Sequence, residues 1–403
     1  MAIVMELVLP FIIGTAIGII TGLLPGIHSN LASSAIAAYI GLDGNFSNEA
    51  IAVMIISMGV AHSITDNIPS ILLGMPDAEK IMSALPSQRM LLEGKGIDAV
   101  MLSITGTLFG TILAVAMMPI TVLFFSVAYF QIKWAIGYIL LVLLTILMMN
   151  EKKKMQSLLI LIFTGILGIF VFRLNMKEPL LPLLTGLFGT SALIFGLINR
   201  NTIPKQHHNA CEIKKDEWLK PSFVSLVMGI LSSFLPGLGP SQIASLGSKA
   251  IKKITERGYI VLSSALSTVN LIAGIAAFYA IGKSRSGVIA AIEGITGNIS
   301  LYDTTIMAFA SLAAGGIATI FTIYLAKRMI SIIHKVNYSK LCLSIILFVM
   351  LIVLLISGLT GLMVLLTASA IGIITITKEI PRQNMMGCLI LPVLLFFMGI
   401  SLS

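Results

Sequence analysis

The stretch that decides the fold occurs twice: G-I-I-T-G-L-L-P-G-I-H-S-N from Gly18 to Asn30, and G-I-L-S-S-F-L-P-G-L-G-P-S from Gly229 to Ser241. The copies align without a gap and set Pro25-Gly26 over Pro236-Gly237. Each follows a long apolar run and precedes a shorter one. Proline lacks the N–H that a helical turn needs, and glycine adopts backbone angles that other residues avoid, so each pair ends one helix and lets another begin. In an apolar setting such a break bares backbone N–H and C=O groups, which is tolerated where they line a cavity or hold a ligand. A duplicated break therefore points to a binding site.

Composition supplies the setting. Of the 403 residues, 57% are hydrophobic and 11% charged, against about 25% charged in soluble domains, and mean hydropathy is +1.03. Apolar runs of about 20 residues, each enough to cross ~30 Å of hydrocarbon, recur along the chain. The sequence predicts an all-α polytopic membrane protein, multi-pass in the cell membrane, with the lipid bilayer as its first partner. The run at 7–24 follows Glu6 instead of basic residues and lacks a small-residue cleavage site, so it reads as a retained span. Cys211, Cys342 and Cys388 are scattered without metal spacing, which predicts neither disulfide nor metal centre. The net charge of +9 lies mostly in loops, as cytoplasmic loops require, and asks for no nucleic acid.

Read in order, 7–24 and 27–42 form a hairpin about the first break, 50–76 a span broken at His62–Pro69, and 99–127, 133–149, 156–173 and 179–198 four further spans. The second half repeats the plan. A hairpin at 221–251 leads to a segment at 258–282 with Ser263, Ser264, Ser267, Thr268 and Asn270 in mid-span, then to a polar loop and spans near 303–327, 341–357, 360–377 and 385–402. The soluble-looking linker 199–220 divides an N-terminal repeat, 1–198, from a C-terminal repeat, 221–403. Lys80, Arg89, Lys95 and the run Lys152-Lys153-Lys154 mark cytoplasmic loops. Lys249, Lys252, Lys253 and Arg257 follow the second hairpin where the first is followed only by acids, so the second repeat is expected upside down. Both termini then lie outside and the linker inside. Two inverted-topology repeats, each with a hairpin, a broken helix and four further spans, are the plan of a secondary transporter.

Two further patches carry a family likeness: I-L-L-G-M-P-D-A from Ile71 to Ala78, and L-P-S-Q-R-M-L-L-E-G-K-G from Leu85 to Gly96. Together with the P-G elements at Pro25 and Pro236, they resemble the signature stretches of the large membrane subunit of tripartite tricarboxylate transporters. The resemblance extends over most of the chain. It implies a TctA-like permease for carboxylates that works with a small membrane subunit and an extracytoplasmic binding protein. Ile27-His28-Ser29-Asn30 stands where the family favours a Gly-Pro continuation, and Gly74 and Asp77 replace the usual Asn and Gly. The chain thus resembles a divergent branch, one that could act without the tripartite partners.

The expected substrate site is the pair of hairpin tips: Gly26, His28, Ser29 and Asn30 facing Gly237, Gly239, Ser241 and Gln242, with Ser267 and Asn270 beside them. Uncapped N–H groups at the start of each second arm, and the positive dipole end there, suit an anion without any Lys or Arg in the site. Each residue also has a plainer reading. His28 binds anion or proton, or is a tip residue satisfied by backbone; Ser267, Thr268 and Asn270 touch substrate or glue helices together. His62, Thr65, Asp66 and Asn67 in the broken span are the candidate coupling-ion ligands, for Na+ or H+, with Asp66 equally able to cap the helix after it. Lys283 and Arg285 are expected on the external side, where they attract anions, and His207-His208 in the solvated linker. No resident cofactor is implied. An enzyme is disfavoured, since no H-E-x-x-H or G-x-S-x-G motif occurs. The competing transport reading is a carrier or flippase for a lipid-linked phosphate or another amphipathic anion, which would need a lateral opening with basic residues at headgroup depth. Which anion, which coupling ion and whether the chain forms a homo-oligomer are left open.

Overall fold

The computed structural model describes residues 2–24, 27–40, 46–72, 81–149, 151–198, 204–206, 213–235, 238–251, 254–333 and 337–400, with the side chains of 2–5, 81–85, 241, 249, 250 and 333 also outside the description. Helices are the only regular structure among these residues. Nine segments of them are long and apolar enough to cross a membrane. The chain is an all-α polytopic membrane protein.

The first half contains α1 (Ala2–Leu23), α2 (Ser29–Tyr39), α3 (Asn48–Thr65), α4 (Asn67–Leu72), α5 (Ile81–Leu92), α6 (Gly96–Ala116), α7 (Met118–Ile132), α8 (Ile136–Met149), α9 (Lys154–Arg173), α10 (Leu180–Leu184) and α11 (Ser191–Ile198). The second contains α12 (Lys215–Phe234), α13 (Pro240–Ala250), α14 (Glu256–Ile281), α15 (Gly287–Thr296), α16 (Leu301–Ile333), α17 (Tyr338–Thr377) and α18 (Gly387–Phe397). Helices α3 and α14 form the centre. Nearly every residue of both is buried, while α8 and α17 turn large apolar side chains outward, as lipid-facing helices do.

Small residues let the backbones of the hairpin and the central helix touch. On α1, Gly14, Gly18 and Gly22 lie against the carbonyls of Met54, Met58 and His62, so the two helices run parallel. A Cβ on Gly22 would stand 2.8 Å from the His62 oxygen. The gap-free alignment of Pro25 with Pro236 puts Ser225, Gly229 and Ser233 in these positions on α12. There Ser225 donates to Leu262 O at 2.8 Å, Ser233 donates to Asn270 O at 2.8 Å, and a Cβ on Gly229 would meet Val269 Cβ at 2.8 Å. Helices α12 and α14 thus also run parallel. Matching contacts recur farther along: Gly168 of α9 sits on Cys388 O of α18, and Gly372 of α17 on Leu187 O ahead of α11. Close approach through small residues is what packs helices where lipid removes the hydrophobic drive between them.

Relative direction follows from the ends. Arg89 on α5, which follows α3, pairs with Glu256 at the start of α14, and Thr296–Asp303, which follow α14, share a crevice with Asn48–Val53 at the start of α3. The two central helices are therefore antiparallel. On the α14-start face, Arg257 pairs with Glu217 at 3.0 Å and Asp98 at 3.7 Å, which gathers the starts of α6, α12 and α14 on one side.

Several sequence expectations change in detail. The span expected at 99–127 ends at Ala116; Pro119 starts a new helix, and α7 and α8 join through a 3₁₀ turn at Lys133–Ala135. Helix α12 begins at Lys215, inside the expected linker, because Lys214 N–H bonds to Glu217 and two acids occupy its first turn. The expected polar loop after 282 holds the ten-residue α15. The spans expected at 341–357 and 360–377 are the two arms of α17, parted at Gly358, whose φ of 67° favours glycine.

Gly18→Ala is expected to destabilise the protein by about 1–3 kcal/mol, because its Cβ would collide with the Met58 carbonyl. Gly316→Ala, with nothing within 4 Å of the new carbon, is expected to be neutral or stabilising by up to ~1 kcal/mol through helix propensity. Thermal unfolding in detergent of the two variants checks this.

Candidate functional site

The two hairpins end in tight reversals. After α1, Ile27 N–H bonds to Leu24 O at 3.3 Å; after α12, Leu238 N–H bonds to Leu235 O at 3.4 Å, and Ser232 donates to Leu238 O at 3.0 Å. His28 and Gly239 then open α2 and α13 in extended conformation, and neither supplies a side-chain cap. The leading N–H groups of both helices are thus left for another acceptor.

Both tips reach one cavity of about 210 Å³. His28, Ser29 and Asn30 line it from the first hairpin, Gly239 and Pro240 from the second, and Asn270 from α14. A third helix start joins them. Residues 283–286 carry the chain back along α14, so that Ile289 lies on Gly274, and α15 opens at the cavity with Ser286 as its cap and Arg285 just before it. Leu180, Leu184, Met386 and Leu389 close the apolar side.

Each tip leans on an irregular turn in the last span of its own half. His28 Nε2 lies 3.2 Å from Thr185 Oγ1, in the π turn Thr185–Thr190 between α10 and α11, and Gln242 donates to Gln383 O at 3.4 Å, in the 3₁₀ turn Arg382–Met386 before α18. The loosened turns give each side chain a place to bond that a regular helix would lack.

Of the residues expected at the substrate site, His28, Ser29, Asn30, Gly239 and Asn270 meet at the cavity. Gly26 and Gly237 lie outside the described residues, as does the side chain of Ser241. Gln242 is buried and braces the second tip, and Ser267 is buried within α14 away from the cavity lining. Thr268 bonds to Thr107 O on α6 at 3.0 Å, which is the gluing role. The expectation of a site without Lys or Arg is corrected: Arg285 lines the cavity. The signal was legible in Gly282-Lys283-Ser284-Arg285-Ser286-Gly287, a glycine-flanked break ahead of a short apolar helix, like the tips themselves.

The expected coupling-ion residues turn to different partners. His62 Nδ1 lies 3.0 Å from Thr21 Oγ1 on α1, Thr65 lies 3.1 Å from Thr322 on α16, Asn67 donates to Ile64 O at 2.8 Å, and Asp66 accepts from Ser70 at 3.3 Å. Among the described residues no group of three His, Cys, Asp or Glu side chains is placed to hold a metal ion.

Residues 8–387 match the model of the tripartite tricarboxylate transporter TctA family. The chain belongs to this family. The uncharacterized protein MJ1079 of Methanocaldococcus jannaschii is 32% identical over 386 residues, covering 93% of this chain and 94% of its own. No solved structure matches. Membership of the TctA family makes the protein a multi-pass membrane protein of a transport system, and the cavity is where its two Pro-Gly hairpins meet.

Gly287 touches Asn30 so closely that a Cβ would fall 2.7 Å from its Oδ1. Gly287→Ala should displace Asn30 and lower the affinity of the cavity for a carboxylate probe about tenfold, or ~1.4 kcal/mol. Gly294→Ala on the same helix meets nothing within 4 Å and should bind as the parent does. Titration of both variants by thermal shift is the measurement.

Proposed function

We propose that this TctA-family protein is the permease of a secondary transport system for a small organic anion bearing carboxylates, a tricarboxylate being the case that the family name suggests. The observation that carries this reading is the cavity at which hairpins from opposite halves of the chain present two helix starts, joined by the start of α15 and Arg285, to a common space. Its volume of about 210 Å³ is below the roughly 300–1,000 Å³ of drug-sized sites, which suits a small metabolite. Each helix start contributes about 0.3–1 kcal/mol toward an anion, up to ~2 when partly buried, so binding is moderate and release is not held back.

The halves 1–198 and 221–403 are read as inverted repeats about this site. The matched contacts of α1 with α3 and of α12 with α14, and the antiparallel course of α3 and α14, support that reading. In such a plan the tips enter from opposite membrane faces, and access alternates by movement of elements about a fixed site. The coupling ion is Na+ or a proton, bound at the interruption around Asp66, because an ionisable group at membrane depth is expensive unless it is paired or used. A small membrane subunit and an extracytoplasmic binding protein are the partners the family brings, and the cell membrane is the location.

Uptake of labelled citrate into liposomes holding the purified protein, with and without an inward Na+ or proton gradient, tests the reading. Saturable, gradient-dependent uptake is expected. Failure of mono-, di- and tricarboxylates alike to bind or enter would overturn the substrate assignment. Asp66→Asn is expected to abolish the gradient dependence at normal folded yield; if the dependence survives, Asp66 serves the helix that follows it.

A further inference from the structure

Arg285 is an unusual residue for a membrane interior. Its Nε and Nη2 are inaccessible to solvent and have no hydrogen-bond partner among the described residues. None of the ion pairs among those residues involves it. Glu293, the acid nearest in sequence, accepts the Ser284 backbone N–H at 3.3 Å and so steadies the returning loop. Arg285 as a whole is half-buried, yet a guanidinium that only filled space would turn these two N–H groups to water or to a carboxylate, since inaccessible donors without an acceptor are costly.

The two unpartnered nitrogens lie on one edge of the guanidinium. Nε–H and the adjacent Nη2–H point the same way, and this edge is the fork that takes both oxygens of a carboxylate in parallel hydrogen bonds. The face of the group is occupied instead. Arg285 lies over the Tyr129 ring at 5.3 Å, and Tyr129 meets Phe234 edge-on at 6.2 Å, just before the second hairpin tip. Cation–π contact partly replaces lost hydration without using any N–H, so the ring parks the charge while the fork stays open.

We propose that Arg285 is the charge-reading residue of the cavity: its fork grips one carboxylate of a ligand that carries at least two, while the starts of α2 and α13 hold another. The inference rests on the carboxylate reading given above and adds to it a residue and a minimum ligand charge. Two separate kinds of anion receptor around a space of about 210 Å³ fit a compact di- or tricarboxylate better than a monocarboxylate, which would leave one receptor unmet.

Binding of succinate, citrate and acetate to the purified full chain, with Arg285→Gln and Arg285→Lys beside the parent, tests this. The parent should bind succinate and citrate well above acetate. Arg285→Gln should weaken succinate and citrate at least about thirtyfold, the loss expected when one partner of a buried charge pair is removed. Its unfolding temperature without ligand should stay level or rise, whereas an arginine with a merely structural role would lower it. Arg285→Lys, which keeps the charge without the fork, should recover only part of the affinity, and it decides the matter if the Gln variant fails to fold. Parent-like succinate and citrate affinity in either variant, or equal binding of acetate and succinate by the parent, would overturn the inference while leaving a carboxylate permease standing. No binding of any of the three by the parent would overturn the carboxylate reading and this inference together.

Discussion

In hydrocarbon a backbone N–H without a partner has no water to turn to, and this one constraint arranges the rest of the molecule. Every interruption of a helix must be housed. The tips at His28 and Gly239 and the loop at Arg285 are housed together, so three interruptions leave their free groups in one small space rather than in lipid. The remaining interruptions are housed by local chemistry. Asp66 N–H bonds to His62 O and Ile64 O, and Gly358 takes a backbone shape open to glycine alone, next to Ser357, which donates to Lys177 O at 2.8 Å.

Concentrating interruptions at one point has an electrostatic side. Helix starts carry partial positive charge, and gathering them would be unfavourable in a closed apolar space if nothing negative ever came there. The surrounding chain does little to cancel that field. Asn30 and Asn270 bring amides and Ser29 and Ser286 hydroxyls, and no carboxylate is among the described residues lining the cavity. The site is thus arranged around a charge that the chain does not itself provide, which is the pattern of a binding site.

Much of this was legible in the residues. Hydropathy exposed the spans, and Pro-Gly exposed the tips, because proline and glycine act on the backbone wherever they stand. The meeting of His28 with Gly239 followed from the alignment of the two copies. What escaped was set by packing over long separations. The cavity-ward return of 283–286 depends on Ile289 lying on Gly274, a contact that no local pattern announces. Likewise the hydroxyl of Thr65 read as a candidate ion ligand, yet it meets Thr322 on α16, and of the two readings open for Thr268 its bond to Thr107 on α6 selects the one that joins helices.

The two hairpins share a plan, but the seams that hold them differ. On α1 the seam is three glycines spaced by four, facing carbonyls spaced by four on α3. Such a seam is periodic: advancing α1 by one turn would set Gly14 against Met58 and Gly18 against His62, at the loss of the hydrogen bond between Thr21 and His62. On α12 the corresponding seam is fastened by Ser225 to Leu262 O and by Ser233 to Asn270, through both its carbonyl and its Oδ1. A step of one turn would break those bonds and return nothing equivalent. The duplicated fold therefore contains a seam of bare glycines tied at one end by Thr21 and His62, and a seam tied at both ends by serines, so axial slip between hairpin and core breaks fewer bonds at the first.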